Sequence, residues 1–322
     1  MVHPIPLPRF AVLFAALVAS VAAGCTTLDS SSGASDVSDA DRYSPATEDP
    51  PVFDLDAPPS MIETAFEVEG ASLNAIVYEP QGAGPHPALV LLHGFPGFER
   101  NLDLAQAARR AGWTVVFFHY RGSWGSGGQF SFVHVVEDVH AVVEAISDPT
   151  FAAEHRLDPA RIALVGHSMG GFAALVAGAE NERVDCVASL AGANLGGLAK
   201  AAAEMPGGSL GMAASLDGWS GPIVGPSGAA LVGEVVENAK RFDTTGHAPR
   251  LADKSLLLVA GARDQVTTVT LHHAPLVEAL EAAGAGDLTQ HVMPLGDHAF
   301  SGLRIALATR LVDWLEGRCR AG

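Results

Sequence analysis

Apolar residues collect into short runs separated by amphipathic stretches from about residue 61 onward. Residues 61–68 and 72–79 flank Glu69-Gly70, a turn dipeptide, and predict an antiparallel hairpin. Further strand-like runs follow at 88–92, 114–119, 161–165, 186–190, 255–260 and 290–294. Helical patterns lie between them at 102–111, 133–146, 170–179, 274–283 and 299–316. Continuous apolar strands alternating with helices indicate an α/β domain, a mostly parallel sheet covered on both faces. In such sheets ligands sit beyond the carboxyl ends of the strands, so the chemistry is expected just after each strand.

Two stretches break the rhythm. Residues 194–254 separate two strands by far more than an ordinary connection. Rich in Gly, Ala and Pro, with a helical pattern at 229–241, they read as a small cap insertion over the carboxyl edge or, alternatively, as a surface excursion. Residues 25–60 read as an acidic, disordered tether. Eight carboxylates at 26–60 face one Arg42, and the stretch has too little apolar area to offset the entropy of ordering it.

Composition narrows the function. A formal net charge of −17 lacks the basic footprint that nucleic acid requires, so nucleic acid is not an expected partner. The three cysteines are too few for a disulfide framework. Cys186 lies in an apolar run and reads as a small buried hydrophobe, and Cys319 reads as a thiol near the C-terminus; a bridge between them is the alternative.

The first 24 residues have the pattern of a signal peptide. Arg9 precedes an apolar stretch at 10–23, too short to span a bilayer, and small residues lead into Cys25. Ala22-Ala23-Gly24-Cys25 resembles a bacterial lipobox, which implies cleavage before Cys25 and its lipidation. The chain would then be exported and membrane-anchored, facing periplasm or exterior; simple secretion is the alternative.

The run at 161–165 leads into Gly166-His167-Ser168-Met169-Gly170-Gly171 and a helical pattern. This is G-x-S-x-G in a strand–turn–helix context, in which a sharp turn lifts the Ser168 hydroxyl above the sheet and the helix N-terminus favours negative charge there. Ser168 is therefore the candidate nucleophile. Such a serine needs a base, and His298 follows the last strand. Of the other histidines, His291 falls within a strand pattern, His272 and His273 open a helix and read as solvated, His167 belongs to the turn itself, and His93 reads as structural. A carboxylate must orient the base. Asp264 follows the strand at 255–260, with Asp243 a weaker alternative within 194–254 and Asp297 poorly placed beside His298. The backbone N–H groups of Met169 and Phe95 are the candidate oxyanion donors; Pro96 has no N–H. Trp124, Phe95 and Phe98 are candidates to line a substrate pocket, with Trp219 closing it from the insertion. Arg121 could bind a substrate carboxylate or hold its own turn by hydrogen bonds. No metal-ligand cluster, phosphate loop or dinucleotide fingerprint stands out, so no cofactor is expected.

The segments 91–97, 119–128, 166–171, 261–264 and 297–300 together resemble the α/β-hydrolase superfamily. Within it they are similar to the branch of dienelactone hydrolase-like esterases and prolyl oligopeptidase-like (S9) peptidases. The resemblance runs from about residue 61 onward and implies an α/β-hydrolase fold with a Ser168–Asp264–His298 triad. Ser168 stands where true dienelactone hydrolases carry cysteine, and there is no propeller segment. The resemblance therefore implies hydrolysis of small carboxylic esters. A serine peptidase is the nearest alternative, and a non-catalytic surface lipoprotein an alternative of another class.

Overall fold

A computed structural model describes residues 43–218 and 221–319. The segment read as a signal peptide, Cys25 and Trp219 lie outside the described residues.

The hairpin forms as expected from β1 (Ser60–Val68) and β2 (Ala71–Glu79), antiparallel in register from Ser60 opposite Glu79 to Val68 opposite Ala71. The chain continues through β3 (His86–Leu92), α1 (Leu102–Arg110), β4 (Thr114–Phe118), α2 (Phe132–Ile146), α3 (Pro149–Glu154), β5 (Leu157–His167), α4 (Met169–Glu180) and β6 (Val184–Leu190). Helices α5 (Leu195–Glu204), α6 (Gly208–Gly218), α7 (Gly228–Glu237), α8 (Ala239–Phe242) and α9 (Ala248–Leu251) precede β7 (Ser255–Gly261). Helix α10 (Ala274–Ala282), β8 (Leu288–Met293) and α11 (Arg304–Trp314) complete it.

The eight strands form one sheet in the order β1-β2-β4-β3-β5-β6-β7-β8. Strands β3 to β8 are parallel, and β2 joins β4 antiparallel at the hairpin edge. Two apolar layers cover the sheet, one with α2, α4 and α10 and the other with α1 and α11. The chain leaves β3 toward β4 on one side and returns to β5 on the other. That reversal opens a crevice at the carboxyl ends of β3 and β5, where ligands settle in open α/β sheets.

Residues 194–254 are mostly helical and are fastened at several points. Asn194 caps α5, its Oδ1 accepting from Gly197 N at 2.8 Å. Glu234 of α7 accepts from Phe132 N at 2.7 Å, a carboxylate on the exposed N–H groups that begin α2. Arg241 pairs with Glu180 at the end of α4, at 2.8 Å. The segment at 222–224 crosses to the loop after β4: Trp124 N donates to Pro222 O, Val224 N to Gly122 O, and Phe130 N to Val224 O, at 2.9, 2.7 and 2.8 Å.

Three sequence expectations change. Cys186 and Cys319 form a disulfide with Cα atoms 6.0 Å apart, where one was read as a simple hydrophobe and the other as a thiol. The helical pattern at 299–316 overshoots, because residues 299–303 turn around the buried Phe300, held at φ 53°, before α11 begins at Arg304. Residues 43–60, the second half of the stretch read as a tether, bond to the body rather than hanging free of it. Tyr43 Oη donates to Arg110 O at 3.3 Å and Arg110 Nε to Pro45 O at 2.7 Å.

Candidate active site

Ser168 lies between β5 and α4 with φ 58° and ψ −118°, a conformation that costs a non-glycine residue roughly 1–3 kcal/mol. Backbone bonds hold it there. Ser168 N donates to Leu190 O at 3.0 Å, and Ser168 O accepts from Phe172 N at 3.1 Å and Ala193 N at 3.0 Å. Glycine is required around it: a Cβ on Gly166 would strike the Gly170 carbonyl, and one on Gly170 the Leu92 carbonyl. On the facing loop after β3, a Cβ on Gly94 would lie 2.9 Å from Ser168 Cβ.

Ser168 Oγ lies 3.0 Å from His298 Nε2, and His298 Nδ1 lies 2.8 Å from Asp264 Oδ2. The three residues picked from sequence are thus brought into one hydrogen-bonded line. Asp264 is buried, and both of its oxygens are engaged. Oδ1 accepts from the N–H of Val266 at 2.7 Å and of Thr267 at 2.9 Å, and Oδ2 from the Thr267 hydroxyl at 2.7 Å as well as from His298. Burial pushes the Asp264 carboxyl up, but the bonds from His298, Thr267 and Val266 outweigh it and hold the group well below the usual carboxylate range. As an ionised acceptor it fixes the proton of His298 on Nδ1, which leaves Nε2 bare and facing the serine. Asp243 is elsewhere, accepting from Asn194 and Thr245, and Asp297 accepts from Ser301 N.

Met169 opens α4, so its N–H has no partner within the helix. Among the described residues neither that N–H nor the N–H of Phe95 has a backbone acceptor outside the regular elements. The Phe95 ring packs on Phe130 and Phe132.

Arg121 holds its turn. It is buried, with N and Nε on the Asp138 carboxylate at 2.8 and 2.5 Å and Nη2 on Glu137 at 2.8 Å. Trp124 and Phe98 meet edge to face, 5.4 Å between centroids, beside the loop after β3. Trp124 Nε1 donates to Pro96 O at 2.8 Å, Arg100 lies 4.2 Å from the Trp124 ring centre, and Phe98 is exposed. The bonds recorded for these two aromatics support the loop and do not reach Ser168.

Sequence reasoning missed several supports. The hydroxyl of Thr267, three residues past Asp264, also lies 2.8 Å from Ala191 O and 3.2 Å from His298 Nδ1. His272 is buried instead of solvated, because its Nδ1 accepts from Asn194 N at 2.9 Å. The Asp-x-x-Thr spacing was a usable signal for the first; nothing local in the sequence marks the second.

Relatives of this chain have been described. An uncharacterized 31.7 kDa protein of Escherichia coli, from the traX-finO intergenic region, is 35% identical over 127 residues, covering 38% of this chain and 42% of that protein. An uncharacterized protein of Mycobacterium tuberculosis is 31% identical over 109 residues, covering 33% and 37%. The matched segment spans less than half the length of these relatives. Among solved structures, Est1E from Butyrivibrio proteoclasticus, with ferulic acid bound, superposes with a TM-score of 0.62 at 18% identity, covering 80% of this chain and all of that one. The acylaminoacyl peptidase of Pyrococcus horikoshii gives 0.59 at 16% identity, covering 81% and 42%. At these identities the likeness is one of fold. Residues 87–250, just over half of the 322, match the alpha/beta hydrolase fold family, and with the sheet and elbow described above the chain belongs to that family.

Proposed function

We propose that the chain is a serine hydrolase that cleaves carboxylic esters through an acyl-enzyme. The observation that carries this reading is the line Ser168–His298–Asp264, with separations of 3.0 and 2.8 Å, at the crevice beside β3. His298 Nε2 takes the Ser168 proton as Oγ attacks the ester carbonyl. The N–H groups of Phe95 and Met169 receive the developing oxyanion. As the intermediate collapses, the C–O bond to the alcohol breaks and His298 gives that alcohol its proton. Water, deprotonated by His298, then attacks the acyl carbon, the acid leaves, and Ser168 regains its hydrogen. Asp264 stabilises the imidazolium formed in each half. Trp124 and Phe98, with Trp219, are proposed to flank the substrate.

Export from the cytoplasm belongs to the same proposal. It is supported by the Cys186–Cys319 disulfide, since such bonds persist in oxidising compartments. Lipidation at Cys25 rests on the sequence.

The test is Ser168→Ala against p-nitrophenyl esters of graded acyl length, with fluorophosphonate labelling in parallel. Turnover and labelling are expected in the wild type and lost in the variant. Labelling that persists in Ser168→Ala refutes the assignment, and aminoacyl amide cleavage as fast as ester cleavage moves the reading to a peptidase.

A further inference from the structure

The loop after β3 rests on two buried histidines that play no part in the steps above. His93 Nδ1 lies 2.7 Å from the carbonyl oxygen of Gly94. A carbonyl can only accept, so Nδ1 carries the His93 proton. His93 Nε2 is then bare and must accept, and it lies 3.2 Å from Nδ1 of His119, which therefore carries a proton too. The chain has one direction, from His119 to His93 to the Gly94 carbonyl. Burial holds both rings below the usual histidine range, His93 to about 4 and His119 to about 3, with the nearby Arg100 cation adding to it, so both are neutral near pH 7.

In a trans peptide the C=O and the following N–H point in opposite directions. Fixing the Gly94 carbonyl on His93 therefore turns the Phe95 N–H away from that ring. Gly94 itself touches Ser168 across the crevice, where a Cβ would come within 3.4 Å of Oγ. The rest of the loop has separate supports: Tyr120 Oη donates to His93 O at 3.2 Å, and Trp124 Nε1 holds Pro96 O. Those bonds fix where the loop lies. They do not fix which way the Gly94–Phe95 peptide faces.

We propose that His119 is a positioning residue for oxyanion stabilisation: its Nδ1–H occupies His93 Nε2 and so supports the tautomer whose Nδ1–H holds the Gly94 carbonyl and aims the Phe95 N–H at the oxyanion. This role rests on the esterase reading. Without the His119 donor, His93 Nε2 loses its partner, the tautomer is favoured from one side only, and the hold on the Gly94 carbonyl weakens.

The test compares His119→Leu with His119→Asn, whose amide nitrogen can stand near the place of Nδ1. His119→Leu is expected to lower kcat roughly tenfold, less than the loss of a whole oxyanion donor, with KM within about twofold because ground-state binding is untouched. Affinity for a trifluoromethyl ketone, which forms an oxyanion on Ser168, falls in parallel. His119→Asn recovers most of both losses. In the wild type, nitrogen-15 spectra of labelled histidine place the proton of both rings on Nδ1, a measurement that needs neither a variant nor turnover. Active wild type with an unchanged His119→Leu overturns this role alone, as does a His93 proton on Nε2 or an Asn variant as impaired as Leu. Absence of ester turnover in the wild type overturns both the esterase reading and this role.

Discussion

His167 Nε2 lies 2.7 Å from the main-chain oxygen of His298, so the residue before the candidate nucleophile holds the backbone of the candidate base. The rings also pack, 4.9 Å between centroids. The carbonyl fixes the His167 proton on Nε2, and the buried Nδ1 has no partner among the described residues. Removing this bond in His167→Leu is expected to lower kcat about fivefold, the equivalent of ~1 kcal/mol for one hydrogen bond. His167→Gln, which can donate from a similar point, should lose less. Steady-state ester kinetics on the two variants check this; equal rates in His167→Leu and wild type would contradict it.

Gly94→Ala places a methyl 2.9 Å from Ser168 Cβ, an atom on a short, fixed side chain that cannot swing aside. The loop or the serine must shift by a few tenths of an ångström or more. A misplacement approaching 1 Å would cost on the order of 10²-fold in kcat/KM, so a loss of roughly tenfold or more is expected. Circular dichroism should show the fold retained while ester turnover collapses.

Stability should fall on mild acidification. Burial lowers His93, His167 and His272 to about 4 and His119 to about 3 in the folded chain, against about 6.5 when unfolded. Between those values the unfolded chain binds more protons, so stability is full above pH ~6.5 and is lost as pH falls toward 4, by roughly 2 kcal/mol per histidine at pH 5. Urea midpoints at pH 7 and pH 5 measure it, the second being lower. A midpoint that does not move across this range would be inconsistent with four neutral buried imidazoles.

The Cys186–Cys319 bridge closes a separation of 133 residues between β6 and the end of the chain that follows α11. Bridges over such loops typically add ~2–4 kcal/mol, chiefly by restricting the unfolded chain. Cys319→Ser is expected to lower the thermal midpoint by several degrees. Ester activity at 25 °C should be unaffected, because the bridge is not at the carboxyl edge.

Strands such as β3, β4 and β7 were legible because each is a dense apolar run, and the β1–β2 hairpin because alternating residues flank Glu69-Gly70. Ser168, Asp264 and His298 were legible because each follows a strand in a fixed order. What could not be read depends on contacts between residues far apart in the chain. Cys186 and Cys319 are 133 positions apart and neither neighbourhood marks the other. His272 looks like a solvated helix opener until Asn194, 78 residues earlier, is seen donating to it. Residues 299–303 carry a helical apolar pattern, yet Phe300 is drawn into the core and the backbone turns to follow it. Each candidate site residue is marked by its own neighbourhood, whereas the disulfide, the place of His272 and the turn at 299–303 are set by contacts distant along the chain.

The crossing between 222–224 and the loop at 122–130 uses main-chain atoms. Peptide groups are the same at every position, so this join makes little demand on side-chain identity. The constraint falls on Gly122, where a Cβ would strike Phe130 N and Val224 O. Val224 meanwhile keeps its side chain 63% exposed. Residues 222–224 can therefore change their side chains without breaking this join, whereas Asn194, Glu234 and Arg241 fasten the rest of the stretch through theirs.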